Sequence, residues 1–421
     1  MLDDLLYKIK SYIPTNLFKK IQPAYHYSLS LLGALIYRFP SRKIFVIGVT
    51  GTKGKTSTTE LISAMLEEAG FKTALLGTMR FKLDEESEMN KQKMTMPGRF
   101  FVQQFIKKAV KKQCDYIIIE MTSQGVLQFR HKFIQMNALI FTNLSPEHIE
   151  SHGSYENYVQ AKLKIAEALE KSNKERKLIV VNTDDAESAR FLKNNIKEQY
   201  KYSVTDAEPY QLAKQGLVLT FGGTKINSSL SGKFNIYNIL AAATFAKSQS
   251  ISNETIKNAI QKFKGIRGRV ERIDEDQDFV VVVDYAHTAD SLEKLYEAFP
   301  NSKRICVLGN TGGGRDKWKR KIMGSIADKY CSHIILTNED PYDEDPRKIL
   351  EEMTEGIEKP NYEIIMDRRE AINKALSSAE TGDTVLISGK GTDPYIMGPN
   401  NTKLPWDDAR VTREELNRLK K

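Results

Sequence analysis

Short runs of β-branched and other apolar residues alternate along the chain with longer stretches of helical periodicity. In the first half the apolar runs cover residues 44–49, 116–119, 138–141 and 178–181, and helical stretches such as 57–69 and 158–171 lie between them. Continuous apolar strands that alternate with helices are typical of a mostly parallel sheet covered on both faces. The pattern therefore predicts an α/β domain.

A second set of apolar runs begins near residue 279. It covers residues 279–283, 305–308, 333–336 and 384–388, and it alternates with helical stretches such as 290–298 and 368–378. Between the two sets lies the sequence Gly-Ile-Arg-Gly at 265–268, which suits a hinge. We therefore predict an N-terminal extension (1–43), a central domain (44–265) and a C-terminal α/β domain (266–421).

The extension contains an apolar and aromatic segment at residues 25–39, with basic residues around it at 19, 20, 38, 42 and 43. The segment is too short and too polar to cross a bilayer, which takes ~20 apolar residues. No small-residue cleavage site follows it, which argues against a signal peptide. Two interpretations stay open: a helix packed on the next domain, or an interfacial helix through which residues 19–43 contact a membrane surface.

Composition narrows the class of protein. Hydrophobic residues make up 40% and charged residues 28% of the chain, as in ordinary globular proteins. The net charge is +9, but the 63 basic and 54 acidic residues are interspersed, which argues against a nucleic-acid partner and suits a phosphate-rich substrate. Cys114, Cys306 and Cys331 lie far apart without metal or redox spacing, which fits a reducing cytoplasm.

The first motif with chemical meaning is Thr-Gly-Thr-Lys-Gly-Lys-Thr-Ser at residues 50–57, directly after an apolar run and at the start of a helical one. Glycines let backbone N–H groups close around phosphates, a lysine reaches the β- and γ-phosphates, and a hydroxyl holds Mg²⁺. The spacing departs from a strict Walker A motif, because Gly48 comes one residue too early. The motif predicts a nucleotide site formed by Gly51, Thr52, Lys53, Gly54, Lys55, Thr56 and Ser57.

Glu120 ends the apolar run at 116–119. Carboxyl ends of parallel strands line the crevice in which ligands bind, so this carboxylate is well placed to coordinate Mg²⁺. A lone acid at a strand end is otherwise simply an exposed residue.

Residues 142–153 (TNLSPEHIESHG) and 158–162 (YVQAK) resemble motifs of the Mur ligase family, in particular the branch that adds the third amino acid of the peptidoglycan stem peptide. The similarity runs from about residue 44 to the C-terminus. It implies a central ATPase domain of the phosphate-loop type with a mostly parallel sheet, followed by a Rossmann-like α/β domain. In the family, the histidine of this motif binds a second Mg²⁺ and the lysine is carbamylated, which implies these roles for His148 and Lys162. From the residues alone, Lys162 is a solvated helix lysine.

Further segments resemble family motifs. The residue at the end of 234–238, Asn238, would approach the adenine, and Arg269 in the segment 268–271 would contact nucleotide phosphates. Asp284 and His287, in an Asp-Tyr-Ala-His sequence, would face the ribose and phosphates. Residues 309–316 fit the family's glycine-rich loop, where Arg315 is a substrate candidate, and Lys319 and Arg320 fit its basic pair.

The resemblance implies an enzyme that forms an amide bond. ATP would phosphorylate a substrate carboxylate with the help of two Mg²⁺ ions, and the amine of a free amino acid would attack the acyl phosphate. Closure of the C-terminal domain would keep water out. The implied catalytic residues are Lys55, Glu120, His148, Lys162 and Arg269.

The acceptor side departs from the family. Only 43 residues precede the first predicted strand, so we expect the family's N-terminal uridine-binding domain to be missing. Thr95 lies in a Thr-Met-Pro sequence where the family has Thr-Thr-Pro, and Gln124 stands where a histidine is common. The positions that match the family's contacts to the muramyl peptide are Thr95, Thr122, Ser123 and Arg130.

The loop that selects the amino acid also differs. Diaminopimelate-adding members carry Asp-Asn-Pro-Arg, whereas residues 339–342 read Glu-Asp-Pro-Tyr, so Tyr342 replaces the arginine. Asp340 with the acids at 343, 344 and 345 would suit a cationic side chain such as lysine; an exposed acidic loop is the other interpretation. The family's Gly-Lys-Gly-His-Glu reads Gly-Lys-Gly-Thr-Asp here, with Gly389 and Asp393 at its ends.

The sequence thus predicts an ATP-dependent ligase of peptidoglycan precursor and cell-wall synthesis that acts on a UDP-muramyl peptide or a shortened equivalent. The alternatives are the same chemistry on a lipid-linked precursor or a folate-type carboxylate, and a non-catalytic ATP-binding protein. We expect a cytoplasmic location, with peripheral contact at the inner membrane face under the interfacial-helix interpretation.

Overall fold

The computed structural model describes residues 15–92, 94–147, 152–213, 216–300, 302–314 and 317–420, with side chains from residue 21 onwards. The chain divides into two compact units. The first contains the described residues up to 208 together with 220–224 and 237–260, and the second contains 209–219, 225–236 and the residues from 261 onwards. Each unit is built on its own sheet.

The first unit has an eight-stranded sheet in the order β4-β3-β2-β5-β1-β6-β7-β8. The edge strands β3 and β4 are antiparallel, and all other neighbours are parallel. The strands are β1 (Phe45–Thr50), β2 (Thr73–Leu76), β3 (Arg80–Leu83), β4 (Glu86–Met89), β5 (Tyr116–Met121), β6 (Ala138–Phe141), β7 (Leu178–Asn182) and β8 (Glu198–Tyr202).

Helices of the first unit alternate with these strands. They are α1 (Thr15–Ile36), α2 (Lys55–Glu68), α3 (Arg99–Lys111), α4 (Ser123–Leu127), α5 (Tyr155–Glu170) and α6 (Ser188–Leu192), followed later by α7 (Lys233–Ser248) and α8 (Asn253–Lys262). The first four residues of α7 belong to the second unit. A small sheet of β9 (Gln211–Ala213), β10 (Gly216–Phe221) and β11 (Thr224–Ser228) precedes α7.

The second unit has a six-stranded sheet in the order β12-β13-β17-β14-β15-β16, parallel except for the edge strand β12. Its strands are β12 (Glu271–Ile273), β13 (Val280–Asp284), β14 (Arg304–Leu308), β15 (His333–Leu336), β16 (Tyr362–Ile364) and β17 (Thr384–Ser388), and a hairpin of β18 (Tyr395–Met397) and β19 (Lys403–Pro405) follows. The helices are α9 (Ala289–Glu297), α10 (Trp318–Tyr330), α11 (Pro346–Thr354), α12 (Arg368–Ser377) and α13 (Asp408–Leu419).

The predicted apolar strands lie at the centre of both sheets. The side chains of β5, β6, β7 and β17 are buried throughout, because helices cover both faces of each sheet. The α/β class and the mostly parallel sheets are therefore confirmed. The register places Thr50 of β1 beside Met121 and Phe141, so the carboxyl ends of β1, β5 and β6 meet at one edge of the first sheet.

Two of the three cysteines form a disulfide, contrary to the expectation from their spacing. Cys306 and Cys331, which show no redox spacing in the sequence, are joined by a disulfide with Cα atoms 6.1 Å apart. Cys306 lies on β14 and Cys331 just before its parallel neighbour β15, so the sheet brings together residues that are 25 positions apart. Cys114 is free and buried.

The N-terminal helix packs against the first unit along one side. Ser30 donates a hydrogen bond of 2.9 Å to the carbonyl of Phe129, and the Tyr27 ring lies 5.3 Å from that of Phe133. The other side of α1 exposes apolar side chains: Ile21, Leu32, Leu35 and Ile36. Among the described residues, no helix combines the length and apolar character needed to span a membrane.

Candidate functional site

The loop between β1 and α2 has the shape of a phosphate-binding loop. Gly51 and Gly54 have φ angles of +152° and +79°, and a Cβ on Gly54 would lie 2.2 Å from Oδ1 of Asn238. The neighbouring strand holds the loop: the N–H of Thr52 donates to the carbonyl of Asn143 at 2.7 Å, and that of Lys53 donates to its side-chain oxygen at 2.9 Å. Glycine is thus required at both positions for steric reasons.

Two lysine amines converge on this loop. Lys55, the first residue of α2, donates to the carbonyls of Gly51 and Thr52 at 2.9 Å each. Lys162 of α5 donates to the same Gly51 carbonyl at 2.7 Å and lies 5.2 Å from the centre of the Tyr158 ring. Thr56 and Ser57 occupy the first turn of α2, with the Thr56 side chain buried.

Lys162 is almost fully buried, with 1% of its surface exposed. Burial, together with the positive charge of Lys55, holds the pKa of Lys162 well below its usual range. The interpretation from the residues alone, a solvated helix lysine, is therefore wrong. The neighbouring Tyr158 hydroxyl is 2.9 Å from that of Thr52 and ties α5 to the loop.

Glu120 lies at the carboxyl end of β5, fully buried. It accepts hydrogen bonds from the hydroxyl of Thr56 at 3.1 Å and from the N–H and hydroxyl of Thr78 at 2.8 Å each. The Thr78 hydroxyl is in turn 3.0 Å from that of Thr95. These contacts connect Glu120, the predicted metal ligand, to Thr56 of the phosphate loop and to the predicted substrate residue Thr95. Thr78, which links Glu120 to Thr95, was not among the predicted site residues.

The geometry suits Mg²⁺ at the Thr56–Glu120 pair, since a hydroxyl and a carboxylate oxygen are the hard ligands that this ion prefers. His148, the predicted ligand of a second ion, lies outside the described residues. Within the described part of the chain, no group of three or more His, Cys, Asp or Glu side chains forms a metal cluster. The structure thus brings Thr56 and Glu120 together and places Lys162 on the opposite side of the same loop.

Three of the four predicted acceptor residues follow β5, whereas Thr95 precedes it. The Thr122 hydroxyl caps α4 by accepting from the N–H of Gly125 at 3.1 Å, and the Ser123 hydroxyl is 3.1 Å from Nε2 of His152. Arg130 donates to the carbonyl of Met96 and to Oε1 of Gln128. Burial and the charge of Arg99 lower the pKa of Arg130 to about 10. Thr122, Ser123 and Arg130 thus lie in one segment of the first unit, with His152 as an additional neighbour of Ser123.

In the second unit, the predicted nucleotide residues surround the end of β13. The carboxylate of Asp284 accepts from the N–H groups of Val270 and Ala286 at 2.7 Å each. The Arg269 guanidinium lies 4.5 Å from the centre of the Tyr285 ring, and Nδ1 of His287 is 2.8 Å from the Tyr285 carbonyl oxygen. The Asp284 carboxylate therefore joins two segments: the one before β12, which contains Arg269, and the one after β13, which contains His287.

Asp340 and Asp393 share one buried lysine. Nζ of Lys390 lies 2.8 Å from both oxygens of Asp340 and 3.1 Å from Asp393. Burial disfavours the ammonium, but the two carboxylates outweigh it and raise the pKa of Lys390. Gly389 has φ +108°, and a Cβ there would lie 2.3 Å from Oε2 of Glu339.

The four acids that would suit a cationic amino acid all have partners within the chain. Asp343 accepts from the N–H of Asn400, Glu344 pairs with Arg320, and Asp345 caps α11 at the N–H of Arg347. Asp340 pairs with Lys390. Asp343 and Asp345 are exposed and Glu344 is half-buried, whereas Asp340 is buried. The exposed acidic loop therefore describes part of this segment, and a role of these acids in binding a cationic amino acid stays a prediction.

The basic pair is buried, and the backbone of the specificity loop is hydrogen-bonded to the hairpin that contains Met397. Arg320 is 1% exposed and pairs with Glu352 at 2.7 Å, and Lys319 is buried as well. Tyr342 has φ +52°, and its N–H donates to the carbonyl of Met397 at 3.1 Å. Arg315 lies outside the described residues.

Comparison with family models finds two matches. The Mur ligase middle domain matches residues 49–246, and the Mur ligase, glutamate ligase domain matches residues 268–391. The first match contains the phosphate loop, Glu120 and Lys162, and the second contains Arg269, Asp284 and Lys390.

The chain is similar to curated proteins over most of its length. It is 37% identical over 405 residues to the UDP-N-acetylmuramoyl-L-alanyl-D-glutamate–2,6-diaminopimelate ligase of Syntrophomonas wolfei, covering 92% of this chain and 81% of that protein. It is 36% identical over 421 residues to the UDP-N-acetylmuramyl-tripeptide synthetase of a Roseiflexus species, covering 93% and 82%.

Solved structures show the same architecture. One of a UDP-N-acetylmuramoyl-L-alanyl-D-glutamate–2,6-diaminopimelate ligase matches with a TM-score of 0.65 and 26% identity, over 93% of this chain and 83% of the other. The folylpolyglutamate synthase of Mycobacterium tuberculosis, complexed with ADP, matches with a TM-score of 0.71 over 86% of this chain and 91% of its own. At 15% identity, the second likeness shows the fold alone.

Proposed function

The chain belongs to the Mur ligase family, and from this premise we propose that it adds an amino acid to a UDP-muramyl-peptide-like acceptor through an acyl phosphate. Membership confirms the predicted family, and with it the prediction of an ATP-dependent, amide-bond-forming ligase rather than a non-catalytic protein. Its place in peptidoglycan precursor synthesis is that of the named relatives.

One observation carries the proposal: the buried amine of Lys162 lies on the phosphate loop, hydrogen-bonded to the Gly51 carbonyl at 2.7 Å. A loop that binds phosphate only through backbone N–H groups and Lys55 does not need a second, buried lysine. Such a lysine is costly to keep charged, so a chemical role explains it better than stability does.

The proposed role is a carbamate. A lowered pKa makes the free base of an amine more accessible, and the free base can add to CO₂, forming an N–C bond and releasing one proton. The product carries a carboxylate-like oxygen pair in place of a cation, and such oxygens suit Mg²⁺. We propose His148 as a further ligand of the Mg²⁺ that the carbamate would hold. The same burial that makes the ammonium unfavourable therefore favours the modified form.

Thr56 and Glu120 are proposed to hold the other Mg²⁺. When bound, the ions neutralise charge on the phosphoryl group as it passes to the carboxylate. Lys55 would withdraw from the carbonyls of Gly51 and Thr52 and donate to phosphate oxygens instead. Thr78 would orient Glu120, since its N–H and hydroxyl fix both carboxylate oxygens.

The remaining site residues are proposed in the family's roles. Asn238, Arg269, Asp284 and His287 would contact the nucleotide. Thr95, Thr122, Ser123 and Arg130 would contact the acceptor, and Asp340, Tyr342, Gly389, Asp393 and Arg315 would contact the incoming amino acid. Lys390 already pairs with Asp340 and Asp393, so a cationic amino acid would have to bind beside this pair, and lysine stays one candidate among the amino acids to be tested.

The experiment is ADP release by the purified chain with Mg²⁺ and ATP. UDP-muramyl-alanyl-glutamate is paired in turn with diaminopimelate, lysine and other amino acids, and mass spectrometry detects the ligated product. A product identifies the amino acid. ADP release without a product, or no release with any pair, would contradict the proposed acceptor, and folate-type acceptors form the next arm.

A lipid-linked acceptor is the second candidate, and the surface of α1 favours it. Ile21, Leu32, Leu35 and Ile36 expose about half of their surface on one helix, and Arg38, Arg42 and Lys43 follow within seven residues. Exposed apolar residues beside cations are the pattern of interfacial helices. Sedimentation with vesicles of phosphatidylglycerol tests it: binding that Leu32→Ser and Leu35→Ser abolish supports membrane contact, and no binding contradicts it.

A further inference from the structure

A separate cavity of about 220 Å³ lies in the first unit, away from the phosphate loop. Its walls are Tyr27 of α1, the segment 131–135 that precedes β6, and the residues of α5 and its end that face this segment: Lys164, Glu167, Ala168 and Lys171. The functional site described above uses none of these residues.

His131 is the unusual residue of this cavity. It is 2% exposed, yet neither ring nitrogen hydrogen-bonds to any residue in the described part of the chain. A buried polar group without a partner costs free energy, so native proteins nearly always satisfy it. A histidine that lines a cavity with both nitrogens free therefore indicates a ligand or ordered water inside.

The charges around the cavity favour an anion. Lys132, Lys164 and Lys171 line it, and none of them forms an ion pair with a residue that the structure describes. A single carboxylate, Glu167, is present among them. Burial, together with the charges of Lys132 and Lys164, lowers the pKa of His131 to about 3, so its ring is neutral and has one N–H to donate.

The volume limits the size of the ligand. At roughly 30 Å³ for each water in the liquid, the cavity has room for about seven waters, and it is smaller than the ~300 Å³ at which drug-sized pockets begin. A nucleotide does not fit, whereas a phosphate group with a small substituent does. Lysine ammonium groups bind phosphate as point charges from several directions, which three lysines around one cavity allow.

We propose that this cavity is a second ligand site that binds a phosphate group between His131 and the lysines Lys132, Lys164 and Lys171. The phosphate comes either from a free small molecule or from a lipid headgroup, since Tyr27 at the rim belongs to α1, the helix with the exposed apolar side. The site is distinct from the nucleotide site because Lys164 and Lys162 are two residues apart, roughly 200° around α5.

The test follows the imidazole of His131 in the full-length protein. The chain has six histidines, and carbon-13 labelled imidazole signals are assigned by the loss of one signal in His131→Gln. Inorganic phosphate is titrated in one arm and monomeric dihexanoyl-phosphatidylglycerol in the other. Because the signal reports on this cavity alone, phosphate bound at the phosphate loop does not interfere.

A saturable shift of the His131 signal in either arm is the expected result, and the arm that responds identifies the source. Lys164→Gln should weaken that binding about tenfold, because it removes one charge-assisted hydrogen bond, whereas Lys374→Gln on α12, an exposed lysine of the second unit, should leave it unchanged. A signal that moves with neither ligand, or a shift that Lys164→Gln leaves intact, would overturn the proposal.

Discussion

The amine of Lys162 and the carbonyl oxygen of Gly51 are joined by a 2.7 Å hydrogen bond, and Lys55 donates to the same oxygen at 2.9 Å. Two ammonium groups on one carbonyl repel each other, and Lys162 is the more deeply buried of the two. The free-base form of Lys162 relieves this repulsion. This difference between the two lysines is what the proposed carbamate at Lys162 rests on.

Removal of the Lys162 amine should abolish turnover without unfolding the protein. In Lys162→Ala we expect ADP release to fall at least about a hundredfold, since a metal ligand is lost, and short carboxylates such as formate to restore part of it. Turnover is measured with and without formate, beside Lys108→Ala, an exposed lysine of α3. Full activity in Lys162→Ala would contradict the carbamate.

Glu120→Gln should raise the Mg²⁺ concentration needed for activity and lower the maximal rate, because a neutral amide is a weaker ligand than a carboxylate. We expect a rate loss of about a hundredfold, and the titration of ADP release against Mg²⁺ measures both effects. Glu86→Gln on the exposed edge strand β4 is the matched control. Equal Mg²⁺ curves for the two variants would show that Glu120 does not hold the ion.

Gly54→Ala tests the phosphate loop by steric means. The new Cβ would lie 2.2 Å from Oδ1 of Asn238, in addition to the strain of φ +79°, which costs about 1–2 kcal/mol for a non-glycine residue. Gly70→Ala is the control, since Gly70 has φ +88° and no atoms within 4 Å of the added Cβ. Gly54→Ala should lower the free energy of unfolding in urea more than Gly70→Ala does, and it should weaken ADP binding. When Asn238→Ala removes the clashing side chain, the free energies of unfolding of the two glycine variants should differ less.

Lys390→Met should destabilise the second unit by about 3–5 kcal/mol, because it leaves Asp340 and Asp393 buried without a cation. Lys303→Met, which breaks the exposed pair with Glu380 at 3.4 Å, should cost below about 1 kcal/mol. Denaturant unfolding at pH 7 measures both. Similar losses would mean that the buried pair contributes little.

The pH dependence of that loss has a definite sign. The pKa of Lys390 is raised in the folded protein, so its contribution is complete below the pKa of an unfolded lysine, about 10.4. It is lost as pH rises through the folded value. The free energies of unfolding of the wild type and Lys390→Met should therefore converge in strong alkali; a difference that stays unchanged there would contradict the role of the ammonium group.

His131 should make the protein sensitive to acid. Its pKa is about 3 when folded, against 6.5 ordinarily, so its contribution is complete above pH 6.5 and declines as pH falls towards 3. The free energy of unfolding of the wild type should fall more steeply between pH 6.5 and 4 than that of His131→Leu. Urea titrations at several pH values measure both slopes, and parallel slopes would contradict the buried neutral ring.

Eight strands of the two sheets could be predicted because they are largely buried and therefore read as continuous apolar runs: β1, β5, β6, β7, β13, β14, β15 and β17. The short strand β2 (Thr73–Leu76) is also buried but was not predicted. The edge strands could not be predicted. β4 (Glu86–Met89) is exposed along its whole length and has charged residues, so its sequence resembles a loop. The strands β9 and β19 are also exposed throughout, so they can be identified only from their hydrogen bonds to neighbouring strands in the structure.

The candidate site, too, could be predicted only in part. A glycine-rich turn after a strand predicts the phosphate loop by itself, but Thr78 and Asn143, which hold Glu120 and Lys53, carry no local signal. The prediction for Lys162 rests on family resemblance alone, although the pattern of α5 holds a signal: Lys162 lies on the buried stripe of the helix between Tyr158 and Ile165. The engagement of Asp340 by Lys390 joins residues fifty positions apart, and only the tertiary structure brings them together.

Helix α5 is the element that the two sites of the first unit have in common. Lys162 on one side of α5 contacts the phosphate loop, and Lys164 on the other side lines the His131 cavity. Thermodynamic linkage then imposes reciprocity: if phosphate in the cavity changes the affinity for ATP by some factor, ATP changes the affinity of the cavity for phosphate by the same factor. A single helix would in this way let the ligase sense a second metabolite while its own substrates are bound.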